Sequence, residues 1–172
     1  LVNGVDVFNK PPRFGFEHGV SSIPADRQKH GLVLEFPVED NLILQKYNET
    51  PFSERHLLKR AVISSHAVDA IEKFDIRPGG CSDRAAGTLS GGNQQKAIIA
   101  REVMNDKELL IAVNPTRGLD VGAIEYVHKY LVDQRNKGKA VLLVSFELDE
   151  IIGLSDVIDV IFDGRIVASM PG

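Results

Sequence analysis

The sequence has one cysteine, Cys81, no tryptophan, two methionines and only 6% aromatic residues. A lone cysteine excludes an internal disulfide, and a reducing compartment is the default for such a chain. No apolar run approaches the ~20 residues that a membrane-spanning helix needs. The longest, such as Ala140 to Val144, are far shorter. Nor is there an excess of basic residues: net charge is −4 and the pI is near 5.7, so no nucleic-acid partner is expected. The five histidines, His18, His30, His56, His66 and His128, show no pair spacing of metal ligands, and no metal site of the chain's own is expected. The opening residues Leu1-Val2-Asn3-Gly4 offer neither an initiator methionine nor a basic stretch, so they are no signal peptide and read as a cut end.

What is present is an ordinary globular composition, 43% hydrophobic and 26% charged over 172 residues, enough for one domain with a real core. Asn3-Gly4 predicts a tight hairpin over residues 1–8. Val20 to Ile23 reads as a short strand stopped by Pro24, and residues 24–31 as a polar loop. Asp26 and Arg27 in that loop are expected either to pair in solvent or to contact a partner. Pro37 to Leu42 resembles a helix start with acids in its first turn. Ser53 to Phe74 reads as one helix with Ser53 as N-cap and a stripe of Leu57, Leu58, Ala61, Val62, Val68, Ile71 and Phe74. Leu109 to Val113 and Ala140 to Val144 read as fully buried parallel strands, with an amphipathic helix over 121–137 between them. Asp163-Gly164 predicts a terminal hairpin. The alternation of strands and helices implies an α/β fold with a mostly parallel sheet, β-hairpins at both ends and right-handed crossovers.

The stretch Leu89-Ser90-Gly91-Gly92-Asn93-Gln94-Gln95-Lys96 opens a helix. Glycines without Cβ atoms admit close approach to the backbone, and the free N–H groups of a helix start attract anions, phosphate above all. Ser90 acting as a plain N-cap, with Lys96 on a solvated face, is the simpler alternative.

Four features fall in one order: Leu-Ser-Gly-Gly-Asn-Gln-Gln-Lys, a strand ending in Asn-Pro-Thr-Arg-Gly-Leu-Asp, a second strand ending in Ser-Phe-Glu-Leu-Asp-Glu, and the Asp-Gly hairpin. Together they resemble the nucleotide-binding domain of an ATP-binding cassette (ABC) transporter, of the type that imports simple sugars and nucleosides. The chain is most similar to the second of the two cassettes such ATPase subunits carry. The resemblance covers about residues 1–168. It implies a partial P-loop NTPase-type core, with residues 45–104 as a helical subdomain carrying the signature motif. Leu89, Ser90, Gly91 and Gly92 would be that signature, Gln94 its support, and Asp120 part of the D-loop, all acting in trans on ATP held by another cassette. The implied cofactors are ATP and Mg²⁺ in the assembled pair. The implied partners are a second nucleotide-binding domain and transmembrane permease subunits, at the cytoplasmic face of the membrane, without direct cargo contact.

Three departures from the family qualify this. No Gly-x-x-x-x-Gly-Lys-Ser/Thr phosphate loop occurs, so the chain reads as a fragment. The family's Asp-Glu pair, for Mg²⁺ and for the attacking water, is replaced by Val113 and Asn114. Phe146 stands for the switch histidine. Loss of a general base alone costs roughly 10²–10⁴ in rate. The expectation is therefore a degenerate half, inactive as an isolated chain, that presents its signature to a hydrolytic site elsewhere. An interaction module with a cassette fold, or a non-transport cassette ATPase, are the other classes considered. A missing core strand would leave the sheet either to re-pair or to self-associate.

Overall fold

Parallel strands β1 (Val20–Ile23), β4 (Leu109–Val113) and β5 (Ala140–Val144) form the central sheet, in the order β1-β4-β5. The structure is a computed structural model describing all residues, Leu1–Gly172. Between β1 and β4 the chain makes a π-helical turn (Arg27–Gly31), α2 (Val38–Leu42), the two-residue strands β2 (Ser53–Glu54) and β3 (Leu57–Leu58), α3 (Arg60–Lys73) and α4 (Gly91–Met104). A short α1 (Pro12–Glu17) precedes β1. After β4 come α5 (Val121–Asn136), α6 (Leu148–Leu154) and a hairpin of β6 (Val157–Phe162) and β7 (Arg165–Pro171).

Helix α4 is the axis of the core. Ala97, Ile98, Ile99 and Ala100 are each at most 2% exposed, so it is buried almost all round. Ile23, Leu110 and Ala112 meet it from the sheet, Val127 and Leu131 from α5, and Ile71 and Phe74 from α3. Polar residues on such a helix must find partners inside the protein. Gln95 Nε2 donates to Pro115 O (2.7 Å), and Arg101 Nη1 to Gly31 O (2.8 Å).

Several local expectations are corrected. The turn at Asn3-Gly4 forms, both residues with positive φ, but it closes a single bridge between Val2 and Val5 rather than two strands. Residues 27–31 are a helical turn instead of open loop, because Asp26 Oδ1 accepts from the N–H groups of Gln28 and Lys29. Ser53 caps no helix: it lies in β2, and Arg55 and His56, at φ 49° and 65°, turn the chain into β3. Helix α3 starts only at Arg60. Its buried face is Ile63, Ala67, Ala70 and Ile71, while Leu57 and Val68 are exposed.

Strand β5 is not fully buried either. The sheet face bearing Ser21, Ile23, Leu110 and Ala112 packs inward, whereas Leu142 (52% exposed) and Val144 (43%) on the other face have no helix over them. The outer edge of β5 pairs with nothing, so the strands have not rearranged to fill it. A cleft of about 880 Å³ separates that edge from β6, lined by side chains such as Leu142, Val144, Val157 and Ile161. The β6–β7 hairpin turns at Asp163-Gly164 as expected, and both its strands are largely exposed.

Candidate functional site

Ser90 sits at φ −62°, ψ 157° and is the N-cap of α4. Its Oγ accepts from the N–H of Asn93 at 3.5 Å and from Asn93 Nδ2 at 2.9 Å. The simple capping role is therefore real, and it leaves the hydroxyl proton free to donate. The first intrahelical bond is Gln94 N–H to Ser90 O (2.9 Å), so helix geometry leaves the N–H groups of Gly91 and Gly92 unpaired. Those donors stand at the positive end of a helix that is otherwise deep in the core. Beside Ser90 opens a cleft of about 640 Å³, bordered by Asp75, Arg77, Thr88 and Asn93.

The glycines answer to neighbours within the protein as well. A Cβ on Gly91 would lie 2.8 Å from Arg27 Nη2, and one on Gly92 would lie 3.3 Å from Ala123 Cβ and 3.6 Å from Asp120 Oδ2. Asp120 caps α5, its Oδ1 accepting from Ala123 N–H (2.9 Å). The structure thus brings Ser90, Gly91, Gly92 and Asp120 together on one surface. Leu89 and Gln94 lie beneath it. Leu89 is in the core, and Gln94, 2% exposed, accepts at Oε1 from Gln28 and donates to Ala86 O.

Lys96 is not on a solvated face. Its ammonium contacts Asp75 O and Oδ2, both at 2.8 Å, and lies 4.8 Å from the Tyr126 ring centroid. The hydrogen bond from Lys96, then that from Arg77, holds the Asp75 carboxyl below its ordinary range. Burial pushes the Cys81 thiol up, which leaves it no nucleophile.

Val113, Asn114 and Phe146 meet at the ends of β4 and β5. The Val113 side chain offers no oxygen, Asn114 Oδ1 accepts from Phe146 N–H, and Phe146 is 89% exposed. These side chains do not suit Mg²⁺, which needs hard oxygen donors, carboxylates foremost.

The sequence pointed to Arg27 as a loop charge but not to its contacts. Its Nη1 donates to Arg117 O (2.8 Å), and its Nε is buried without an acceptor, a state costing about 1–3 kcal/mol. The expected solvent pair with Asp26 does not form; the guanidinium turns inward instead. Its targets lie 64 and 90 positions away, and no spacing rule reaches so far.

Solved structures with this architecture include a nucleotide-free ATP-binding cassette from an ABC transporter, matched over 98% of this chain and 67% of that one, with a TM-score of 0.75 and 23% identity. The fold is that of an ATP-binding cassette. A dimeric cassette in a post-hydrolysis state, bound to ADP and Pi, matches over 98% of this chain and 68% of its own, with a TM-score of 0.72 and 19% identity. Among curated proteins, the guanosine import ATP-binding protein NupO of Bacillus subtilis is 53% identical over 98% of the chain and 33% of its own length. The nucleoside import ATP-binding protein NupA of Lactococcus lactis is 53% identical over 94% of the chain and 32% of its own. A ribose import ATP-binding protein, RbsA of Roseobacter denitrificans, is 34% identical over 99% and 33%. This cassette is thus homologous to the ATP-binding proteins of nucleoside and sugar importers, and it spans about a third of their length. No family model matches it. No helix is long and apolar enough to cross a membrane.

Proposed function

We propose that this cassette works within the ATP-binding subunit of a nucleoside or simple-sugar importer, presenting Ser90, Gly91 and Gly92 to ATP bound on a second cassette. The observation that carries the reading is the pair of unpaired glycine N–H groups beside a free hydroxyl proton, at the start of a helix locked into the core. Ser90 Oγ–H and the two N–H groups would donate to terminal phosphate oxygens, and Asp120 at their side would meet the facing cassette. Such preorganised donors stabilise developing charge without rearranging.

Its own half is catalytically silent. Val113 and Asn114 supply neither a Mg²⁺ ligand nor a base, and Phe146 supplies no imidazole, so the isolated chain does not hydrolyse ATP. The cleft between β5 and β6 supports the reading that a further strand and a phosphate loop are absent from this portion of the fold. Residues 45–104 act as the signature-bearing subdomain, which in the assembled importer works beside permease subunits at the cytoplasmic face of the membrane. The 53% identity to a guanosine-importing and a nucleoside-importing relative favours nucleoside cargo, which never touches this chain.

The test is ATP turnover by the assembled importer carrying Ser90→Arg. The bulky cation fills the phosphate position, and turnover falls roughly 10²-fold or more. Unchanged turnover would sink the reading and favour an interaction module.

A further inference from the structure

Three segments converge on the start of α4: the π-helical turn Arg27–Gly31, the first turn of α4 itself, and the loop Arg117–Asp120 that leads into α5. Arg27 touches all three. It belongs to the first, its Nη2 packs over the site where a Gly91 side chain would stand, and its Nη1 holds Arg117 O at 2.8 Å. Gly118, next in that loop, has φ +66°, and its Cβ position lies 4.0 Å from the same Nη2.

The surrounding contacts make the turn a rigid mount. Asp26 caps it, and Gln28 Nε2 donates to Gln94 Oε1 (3.2 Å). At its far end a Cβ on Gly31 would come within 2.5 Å of Ile98 Cδ1, so backbone and helix are in direct contact. The guanidinium is thus carried on α4 at one end and fixes the loop before α5 at the other.

The electrostatics of this arrangement favour an anion. A cation stands beside the positive end of a helix dipole, and its buried Nε donor has no acceptor. An anion on the Gly91 and Gly92 N–H groups would reverse the first of these.

We infer that Arg27 is a positioning residue for the composite phosphate site, holding the Arg117–Asp120 loop against the glycines of α4 so that Ser90, Gly91, Gly92 and Asp120 engage ATP as one body. The inference rests on the trans role of Ser90 to Gly92 given above. It assigns to the 24–31 segment a function inside the cassette interface.

Two measurements test it separately. The first is hydrogen exchange of this chain with Arg27→Ala, which reads the bridge without any nucleotide: the N–H groups of residues 117–120 exchange about tenfold faster, while those in the middle of α4 do not change. Unchanged exchange in the loop overturns the inference whatever the nucleotide chemistry. The second is steady-state ATP turnover by the assembled importer. Arg27→Ala lowers kcat roughly ten- to a hundredfold with KM for ATP within about twofold, because misplacement of pre-set donors costs rate more than ground-state binding. Arg27→Lys recovers only part of it, since one ammonium cannot cover Gly91 and reach Arg117 O together. Turnover like the parent's, or a change confined to KM, overturns the inference. Faster loop exchange together with parent-like turnover in both Arg27→Ala and Ser90→Arg would locate the failure in the trans role itself.

Discussion

Asn114 Oδ1 accepts the backbone N–H of Phe146 at 3.2 Å, and Asn114 N–H donates to Val144 O at 2.7 Å. The residues after β4 and after β5 are therefore tied to each other, across the ends of the two strands. Asn114 has φ 44°, a conformation that asparagine tolerates better than most residues. At this site the amide works as a clamp on the strand ends.

Asn114→Ala should lower stability by about 1–3 kcal/mol, through the lost hydrogen bond and the left-handed backbone together. A urea midpoint unchanged from the parent would show that the clamp contributes nothing.

Arg101 and Glu102 form a buried pair at 2.8 Å, their side chains 4% and 0% exposed. Glu102 also accepts from Ser22 N–H and Gln45 Nε2, so β1 and the 38–45 segment are both hung on α4. Arg101→Met leaves that carboxylate without its cation and should cost about 3–5 kcal/mol, whereas Arg101→Met with Glu102→Leu should cost less than the two single changes added together. Chemical denaturation of the three variants decides it.

Gly31→Ala places a methyl against Ile98 Cδ1 in a filled core and should destabilise by about 1–3 kcal/mol. Ile98→Val, which removes that terminal methyl, should recover part of the loss in the double variant. Additive losses in thermal melts would mean that the contact relaxes at no cost.

His66 packs edge-on to Phe52, and burial pulls its pKa below the ordinary value of 6.5. A group whose folded pKa is depressed contributes full stability above its unfolded pKa and loses it as pH falls through the folded one. The chain should weaken as pH drops below about 6.5, and His66→Gln should flatten that part of the profile. Identical slopes for parent and variant in pH-dependent unfolding would exclude His66 as the source.

The unpaired edge of β5 should make the isolated chain associate at high concentration. Sedimentation would show mass rising with concentration, and Val144→Lys, placing a charge on that strand, should shift the chain toward monomer. A parent that stays monomeric throughout removes the edge as an interaction surface.

The parts of the fold legible in the sequence were those governed by local rules. Ser90 and Asp120 announce helix starts, Asp163-Gly164 announces a hairpin, and the apolar runs at 109–113 and 140–144 announce parallel strands. The errors came where distant contacts decide. Ser53 to Leu58 has the composition of a helix, yet Lys59 pins it as a hairpin through Glu54 and through its N–H to Phe52 O. Apolar strands predict cover on both faces, and nothing within the run Ala140 to Val144 says that one face stays open. In the candidate site, Ser90, Gly91, Gly92 and Asp120 were visible as motif letters. Arg27 was visible only as a loop charge, since its contacts join segments brought together only by the tertiary fold.

The sheet order also sets a timetable for synthesis. Val20 finds its partner in Leu109, about 90 residues later in the chain, and Ser21 bonds to Glu102 O, also far downstream. At the usual ~5–20 residues per second of translation, β1 waits on the order of ten seconds with its pairing groups unmet. During that interval β1 has neither β4 beside it nor the Glu102 carbonyl that Ser21 will bond, so its place in the sheet is settled only when α4 and β4 have been made.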